Sequence, residues 1–294
     1  MLKKCKKLAY NFFVSSSQTA EEIRNAFENS SALEKSGKLK LIRVNERKKR
    51  YSYKLPLENG KDIFLKIGEI HPIKGFYLCP FREEAKATLI ATRRGIYTPP
   101  VLAFGAQLTD SWKERGFIAT EWLKDWQLLS DTLKERNMDI ASVPNAFKDD
   151  YPLTLARLIA ELHRKGLIHR DLQPAHIFWR DKCGDNDIEW CLVDLDGAFC
   201  MDVLPDWYKI KSLYTVGRHM IESNSEDTRL FFNEYIRLSG RERDGEELIK
   251  KVLEYALFRE EGRKLDKNLK SLPLIVNFGW KHKKIMWMRV KNSF

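Results

Sequence analysis

Residues 168–198 read IHRDLQPAHIFWRDKCGDNDIEWCLVDLDGA, and they place two aspartates beside two short apolar segments. The first is Asp171, and the second, Asp194, follows an apolar run directly. A polar turn joins the two segments, and the aspartates are 23 residues apart, which is enough for one hairpin. The two carboxylates are therefore candidates for one shared site.

Such a pair of carboxylates suits phosphoryl transfer, because that reaction needs two of them in different roles. One must orient and deprotonate the attacking hydroxyl, while the other holds a metal that neutralises charge on the transferring group. Asp171 in His169-Arg170-Asp171 matches the catalytic-loop aspartate of the kinase signature, and Asp194 matches its magnesium-binding aspartate. The alternative is a chance tripeptide and an ordinary strand end. A preceding helix, Pro174 three residues later and the spacing to Asp194 favour the kinase interpretation.

The composition indicates a globular chain that forms one two-lobed unit rather than two independent domains. It has 294 residues, of which 43% are hydrophobic and 32% charged. No apolar run approaches the roughly 18 residues needed to span a bilayer, so we expect a cytoplasmic protein. The five cysteines are odd in number and lack a C-x-x-C pair, which indicates neither a disulfide framework nor a zinc site.

The net charge of +11 predicts attraction to a polyanion. Nucleic acid, an anionic membrane face and a phosphorylated glycolipid would all satisfy it, and charge alone does not choose among them.

Several apolar segments in the first 120 residues predict a small antiparallel sheet. The pattern predicts a short amphipathic helix at 19–34, which begins with a capping box of Thr19 and Glu22. An Asn59-Gly60 hairpin turn separates the second and third strands. The predicted strands are 39–44, 50–57, 61–67, 101–105 and 116–120. The small lobe is therefore expected to contain five strands.

Lys66 lies on the third of these strands. Ile63, Leu65 and Ile67 point to one face, while Phe64 and Lys66 point to the other. Lys66 is our candidate for the lysine that contacts nucleotide phosphates. The alternative is an edge-strand lysine in solvent, which protects against aggregation.

A helix at 81–94 follows that strand and carries two adjacent acids, Glu83 and Glu84. A kinase needs an ion pair between its strand lysine and a helix glutamate, so this order of elements favours the functional interpretation of Lys66.

Glu121-Trp122-Leu123 follows the fifth strand, where kinase-like proteins cross between lobes and offer backbone groups to adenine. We predict that Glu121 and Leu123 bind the nucleotide, the alternative being an ordinary loop. Beyond this point the apolar pattern is helical. The predicted helices are one that Pro152 opens and Gly166 closes, and those at 206–222, 226–239 and 245–262.

Together these features resemble the bacterial lipopolysaccharide core kinases, the Kdo/WaaP group, over residues 39–220. The resemblance rests on Lys66, Phe81-Arg82-Glu83, Gly95-Ile96-Tyr97-Thr98-Pro99, His169-Arg170-Asp171, His176 and Val193-Asp194-Leu195. It implies an α+β, two-lobed protein-kinase-like fold, with a small antiparallel-sheet lobe at 1–121 and a larger, mainly helical lobe at 122–294. It also implies ATP, magnesium and phosphorylation of a sugar hydroxyl, heptose or Kdo, in the inner core of lipopolysaccharide.

The resemblance assigns roles to individual residues. It makes Asp171, Lys66 and Glu83 catalytic, and it favours Glu83 over Glu84 as the partner of Lys66. It makes Asp194 and His176 the metal residues.

His176 stands five residues after Asp171, where a protein kinase has asparagine, and it resembles the heptose kinase branch. Neutral imidazole is a poor ligand for magnesium, so His176 could bind through water, or the site could hold one metal. A structural hydrogen-bonding role is the third possibility.

The chain departs from kinases between its first two strands. The sequence NERKKR at 45–50 replaces a glycine-rich loop. Cationic side chains would then hold the phosphates, or the run is only a solvated turn.

Two other functions are compatible with the sequence. A Ser/Thr protein kinase is the nearest, although Gln173 replaces the usual lysine, no A-P-E motif follows and the activation segment is short. A pseudokinase or basic scaffold is the other. The basic aromatic stretch at 280–291 is a weak match to RNA binding, and we expect no nucleic-acid partner. We expect it to contact the anionic inner-membrane leaflet, the alternative being a packing segment.

Overall fold

The computed structural model describes residues 8–13, 16–70, 79–108, 114–138, 147, 150–182, 187–223 and 226–270. The described chain forms an antiparallel sheet with three helices, followed by a larger part that is mainly helical. We call these the small lobe and the large lobe. The basic runs at 3–7 and 280–291 lie outside the described residues. No helix in the described ranges is both long and apolar enough to cross a membrane.

The sheet of the small lobe has six strands rather than the predicted five, and all neighbours are antiparallel. Its order is β1-β5-β6-β4-β3-β2. The strands are β1 (Leu8–Phe12), β2 (Lys40–Asn45), β3 (Arg50–Pro56), β4 (Asp62–Ile70), β5 (Val101–Leu108) and β6 (Glu114–Glu121). The extra strand, β1, pairs with β5. Lys66 lies opposite Ser52 on β3 and Ile118 on β6, so it is on a central strand and not at an edge.

The predicted helix at 19–34 is two helices, α1 (Ser17–Glu28) and α2 (Ser30–Lys35), which meet at Asn29. The predicted capping box is also wrong. Ser16 is the N-cap, because its hydroxyl accepts the backbone N–H of Thr19 at 3.1 Å. Helix α1 packs on one face of the sheet, with Ile23 and Phe27 buried.

The third helix of the small lobe, α3 (Pro80–Arg93), packs on β5 and β6. Its Phe81 is buried with Val101 and Ile118, and a side chain at Gly116 would meet the Phe81 ring at 2.6 Å. The absence of a side chain at Gly116 therefore lets α3 approach the sheet closely.

The large lobe contains five helices and five short strands within the described residues. The helices are α4 (Leu129–Met138), α5 (Tyr151–Arg164), α6 (Asp206–Ser223), α7 (Glu226–Ser239) and α8 (Gly245–Lys270). The strands are β7 (Gln127–Leu128), β8 (Leu167–Ile168), β9 (Ile177–Lys182), β10 (Asp187–Leu192) and β11 (Phe199–Cys200), paired as β10-β9-β7 and β11-β8. Helix α5 supplies the centre of the core, since Leu155, Leu158, Ile159 and Leu162 are all buried.

Gly166 ends α5 with φ +73° and turns the chain toward β8. A Cβ atom here would lie only 1.7 Å from the carbonyl oxygen of Met201, whose N–H donates to the Gly166 carbonyl at 2.8 Å. Only glycine permits this contact, which fixes the start of the loop that carries Asp171.

Candidate active site

Lys66 of the small lobe contacts one carboxylate from each lobe. Its ammonium nitrogen lies 3.0 Å from both oxygens of Glu84 and 2.6 Å from Oδ1 of Asp194. Lys66 and Glu84 are buried. The strand lysine, the helix glutamate and the aspartate after β10 are therefore in direct contact.

The expected partner Glu83 is not part of this cluster. Its carboxylate pairs with Arg82 at 3.2 Å and Lys86 at 3.1 Å on the outer face of α3. The inner face of the helix presents Phe81, Glu84 and Thr88, at spacings of three and four. That period could have identified Glu84 from the sequence, since a glutamate next to Lys66 must share the buried face.

The cluster shifts the pKa values of its members. Burial acts to lower the pKa of Lys66, but the charges of Glu84 and Asp194 outweigh it and raise that pKa. Burial likewise acts to raise the pKa of Asp194, and the contact with Lys66 overcomes this and lowers it to about 2. Asp194 is therefore an anion at every physiological pH, as a metal ligand must be.

Asp194 also has an unusual backbone conformation, with φ 57°. Non-glycine residues rarely adopt the left-handed region, at a cost of about 1–3 kcal/mol, and those that do are often at functional sites. Asp196 lies two residues after Asp194, and its carboxylate forms an ion pair with Arg50 of β3 at 2.8 Å. Two contacts from the small lobe therefore hold this turn.

His169 connects the two candidate carboxylate segments. Its Nδ1 accepts the backbone N–H of Asp171 at 3.2 Å, so the neutral ring carries its proton on Nε2. That proton is donated to the carbonyl of Val193 at 3.0 Å. Burial lowers the pKa of His169 and keeps the ring neutral. The side chain of Asp171 itself remains 66% exposed and accessible to a substrate.

His176 is buried between the same two segments. Its Nδ1 donates to the backbone carbonyl of Asp171 at 2.7 Å, which leaves the lone pair of the neutral ring on Nε2. Nε2 lies 3.6 Å from Oδ2 of Asp194. Two acceptor atoms face each other there, so a cation or a water molecule between them would suit both.

A small metal ion fits this pair only with help from other ligands. No group of three or more His, Cys, Asp or Glu side chains in the described ranges is arranged to hold a metal. Magnesium commonly takes one or two protein ligands and completes its shell with water and nucleotide phosphates. Asp194, with His176 directly or through water, meets that requirement.

A mainly apolar cleft lies above this cluster, between the lobes. Its walls include Phe64, Ile118, Leu123, Phe178, Val193 and Leu195. At its edge the N–H of Glu121 donates to Pro100 and that of Trp122 donates to Asp62. Within the described chain the N–H of Leu123 has no hydrogen-bond partner. Leu123 can therefore offer a donor to a flat polar ring in the cleft.

The basic run at 45–50 was expected either to hold phosphates with its cations or to be a solvated turn. Two of its cations already form ion pairs within the protein. Lys49 pairs with Glu69 at 3.0 Å, and Arg50 pairs with Asp196 and lies over the ring of Phe81 at 5.5 Å. Arg47 and Lys48 are exposed and make no ion pair within the described residues. Only these two cations of the run remain available to phosphate.

Comparisons with known proteins agree with this geometry. The model of the lipopolysaccharide kinase (Kdo/WaaP) family matches residues 76–235, more than half of the 294 residues. A structure of WaaP in complex with acyl carrier protein is 23% identical, with a TM-score of 0.58, over 84% of this chain and 98% of that chain. A search of curated proteins found no match.

Two further solved structures are less similar. The Rio2 kinase-ADP/Mg2+-phosphoaspartate complex from Chaetomium thermophilum is 16% identical, with a TM-score of 0.42, over 86% of this chain and 81% of that chain. The amicoumacin kinase hAmiN in complex with AMP-PNP, Ca2+ and Ami is 13% identical, with a TM-score of 0.41, over 93% of this chain and 96% of that chain.

The protein is a two-lobed α+β protein with a protein-kinase-like fold, as the sequence predicted. The chain belongs to the lipopolysaccharide kinase (Kdo/WaaP) family and is a kinase. The predicted family and enzyme class are confirmed.

Proposed function

We propose that this kinase transfers the γ-phosphate of ATP, with magnesium, to a hydroxyl of heptose or Kdo in the inner core of lipopolysaccharide. The observation that carries the proposal is the contact of Lys66 with both Glu84 and Asp194. His176 links this cluster to Asp171, because it lies 3.6 Å from Asp194 and 3.9 Å from Asp171. Phosphoryl transfer depends on positioning and on charge stabilisation, and this arrangement supplies both.

The nucleotide would lie between a small lobe at 1–121 and a large lobe at 122–294. Backbone groups of Glu121 and Leu123 would bind adenine, and Lys66 would contact the phosphates. Asp194 would hold magnesium, with His176 as a direct or water-mediated second ligand. The bound ion would neutralise charge on the phosphates. Glu84 keeps Lys66 in place, because both of its oxygens are 3.0 Å from the ammonium nitrogen.

Asp171 would accept a hydrogen bond from the acceptor hydroxyl and take its proton as transfer proceeds. Its carboxylate is exposed, while its backbone is held by His169 and His176. The exposed carboxylate on a fixed loop suits an acceptor that arrives from solvent. The histidine at 176 favours heptose over Kdo, by the resemblance to the heptose kinase branch.

The enzyme would act at the cytoplasmic face of the inner membrane, where its glycolipid acceptor is anchored. Apart from the basic stretch at 280–291, an apolar surface at residues 199–207 supports membrane contact; we call this part of the chain after Asp194 the activation segment. Phe199, Met201, Val203 and Trp207 are all exposed there, and Val203 is 79% exposed. Exposed aromatic and aliphatic side chains suit a shallow position in the headgroup layer.

The test uses the full-length protein, γ-labelled ATP and lipopolysaccharide whose core lacks phosphate. We expect magnesium-dependent labelling of the lipopolysaccharide and none with a chelator. Transfer to protein in preference to lipopolysaccharide would contradict the proposed acceptor. Absence of magnesium-dependent ATP binding would contradict the enzyme mechanism as a whole.

A further inference from the structure

A second cleft opens beside Asp171 in the large lobe, with a volume of about 660 Å³. The catalytic loop forms one side, and α4, α6 and α8 contribute the others. Among the lining residues that the structure describes, Asp171 is the one acidic side chain, whereas five are cationic. The cations are Lys134, Arg170, Lys211, Arg218 and Arg259.

Three of these cations have no carboxylate partner within the described chain. Lys134 pairs with Asp131 at 2.8 Å, and Arg218 also has a partner. Arg170, Lys211 and Arg259 form no ion pair in the described ranges. Their charges converge from the loop, from α6 and from α8, and the single carboxylate of Asp171 cannot compensate all three.

Lys211 is held at the boundary between this cleft and the catalytic loop. Its ammonium donates to the backbone carbonyl of Arg170 at 2.6 Å. Lys211 is half-buried, and this burial lowers the pKa of its ammonium group. Arg170 is positioned from the other side, because its stem packs against Gly197, where a Cβ would lie 3.0 Å from its Cδ. Each of the two cations therefore has one contact with the protein that helps to position it in the cleft.

We propose that this cleft binds the acceptor by an anionic group that the acceptor carries. The side chains of Arg170, Lys211 and Arg259 would bind that group. A phosphate or carboxylate on the glycan would lie among the three cations and place a neighbouring hydroxyl beside Asp171. The proposal rests on the proposed function and narrows it: the acceptor is an anionic glycan, not a neutral sugar. Hydrogen bonds between ionised groups are stronger than those between neutral groups, so each cation contributes to selection of the acceptor.

The turn at 45–50 is a weaker candidate for binding the acceptor charge. Arg50 and Lys49 of that turn are committed to Asp196 and Glu69. Lys211 also brings a cation to the region where Gln173 replaces the lysine of protein kinases. The cation therefore comes from a helix of the large lobe instead of the catalytic loop.

The test compares Lys211→Ala and Arg259→Ala with Lys250→Ala in the full-length enzyme. Lys250 is an exposed cation on the same helix as Arg259 and does not line the cleft, so it controls for loss of net charge. The two acceptors are a core oligosaccharide that carries carboxylates and phosphates, and the same oligosaccharide after carboxyl reduction and dephosphorylation.

We expect kcat/KM of each cleft variant to fall about tenfold more on the anionic acceptor than on the neutral one, mostly through KM. Lys250→Ala should behave as the wild type on both acceptors. Equal losses on the two acceptors would overturn the proposal, since the cations would then serve the phosphoryl group or the fold. Unchanged kinetics in the cleft variants would also overturn it.

Calorimetric binding of the anionic oligosaccharide to the ADP-loaded enzyme separates this inference from the proposed reaction. Binding that weakens about tenfold in Lys211→Ala and Arg259→Ala, but not in Lys250→Ala, supports the site even if no glycan is phosphorylated. Binding that is absent, or equal in all three variants, contradicts the site even if lipopolysaccharide is the substrate.

Discussion

The ammonium nitrogen of Lys66 lies 2.6 Å from Oδ1 of Asp194, a residue 128 positions further along the chain. This contact joins a central strand of the small lobe to the turn after β10 in the large lobe. Because Glu84 binds the same nitrogen, three separate elements meet at one ammonium group. The contact between the lobes and the charge state of the site therefore depend on each other.

The two adjacent glutamates of α3 offer a matched pair of variants. Glu84→Gln should lower kcat/KM for ATP by about ten- to a hundredfold, because Lys66 loses the charge that holds it and is no longer positioned by two oxygens. Glu83→Gln should stay within about twofold of wild type, since exposed ion pairs contribute little. Steady-state kinetics on both variants measures this. If the two variants lost activity equally, the assignment of Glu84 would be wrong.

His163 should make stability depend on pH. Its ring nitrogens contact Tyr235 at 2.8 Å and Ser212 at 2.6 Å, and burial lowers its pKa from 6.5 to about 3. Between these values the unfolded chain binds the proton and the folded chain does not. The free energy of unfolding should therefore fall as the pH drops from about 6.5, by up to about 1.4 kcal/mol per unit.

His163→Gln removes the titrating group, so its free energy of unfolding should fall less between pH 7 and pH 5 than that of the wild type. Urea unfolding at the two pH values gives the difference. The same slope in both proteins would show that His163 does not contribute.

Gly166 and Gly37 allow backbone strain to be separated from steric contact. Both have positive φ, +73° and +75°, but a Cβ at Gly166 would lie 1.7 Å from the Met201 carbonyl oxygen, while nothing is within 4 Å at Gly37. Gly37→Ala should cost about 1–2 kcal/mol through φ alone. Gly166→Ala should cost at least about 3 kcal/mol and reduce transfer, because the clash displaces the loop before Asp171. Equal costs in urea unfolding would contradict this.

The apolar surface at the activation segment should contribute to membrane binding. Val203→Ser combined with Trp207→Ser should lower co-sedimentation with anionic vesicles severalfold, because exposed apolar groups insert into the headgroup layer. Leu257→Ser is the control, since Leu257 is 62% exposed on α8 outside this surface. Binding should also weaken as salt rises. Binding that survives the double substitution would assign the contact to other residues.

The residues tied to local motifs were predictable from the sequence. Asp171, Asp194 and Lys66 stand at fixed distances from a turn, a strand end or a hairpin. The structure places Lys66 2.6 Å from Asp194, and His176 lies within 3.9 Å of both Asp171 and Asp194. The match to the family motif favours Glu83 as the partner of Lys66, whereas the structure has Glu84 in that place. Adjacent helix positions differ by about 100° in direction, so an offset of one residue exchanges an exposed glutamate for a buried one.

Other features depend on contacts that no local pattern encodes. The Arg50–Asp196 ion pair spans 146 positions and depends on the packing of one lobe against the other. Strand β1 is short and contains Asn11, and its backbone pairing with β5 comes from a distant segment. Helix α4 has few apolar positions, Leu129 and Leu133 among them, and these are buried by tertiary packing rather than by a clear helical period.

The central claim is that Asp171 activates the acceptor hydroxyl while Asp194 serves the metal-bound nucleotide. Single-turnover transfer of γ-labelled phosphate to lipopolysaccharide, measured beside ATP affinity, tests it most directly. Asp171→Asn should lower the transfer rate by about 10²- to 10⁴-fold and leave ATP affinity within about twofold. Asp194→Asn should instead remove magnesium-dependent ATP binding. Near-wild-type transfer by Asp171→Asn, or loss of ATP binding in that variant, would contradict the account.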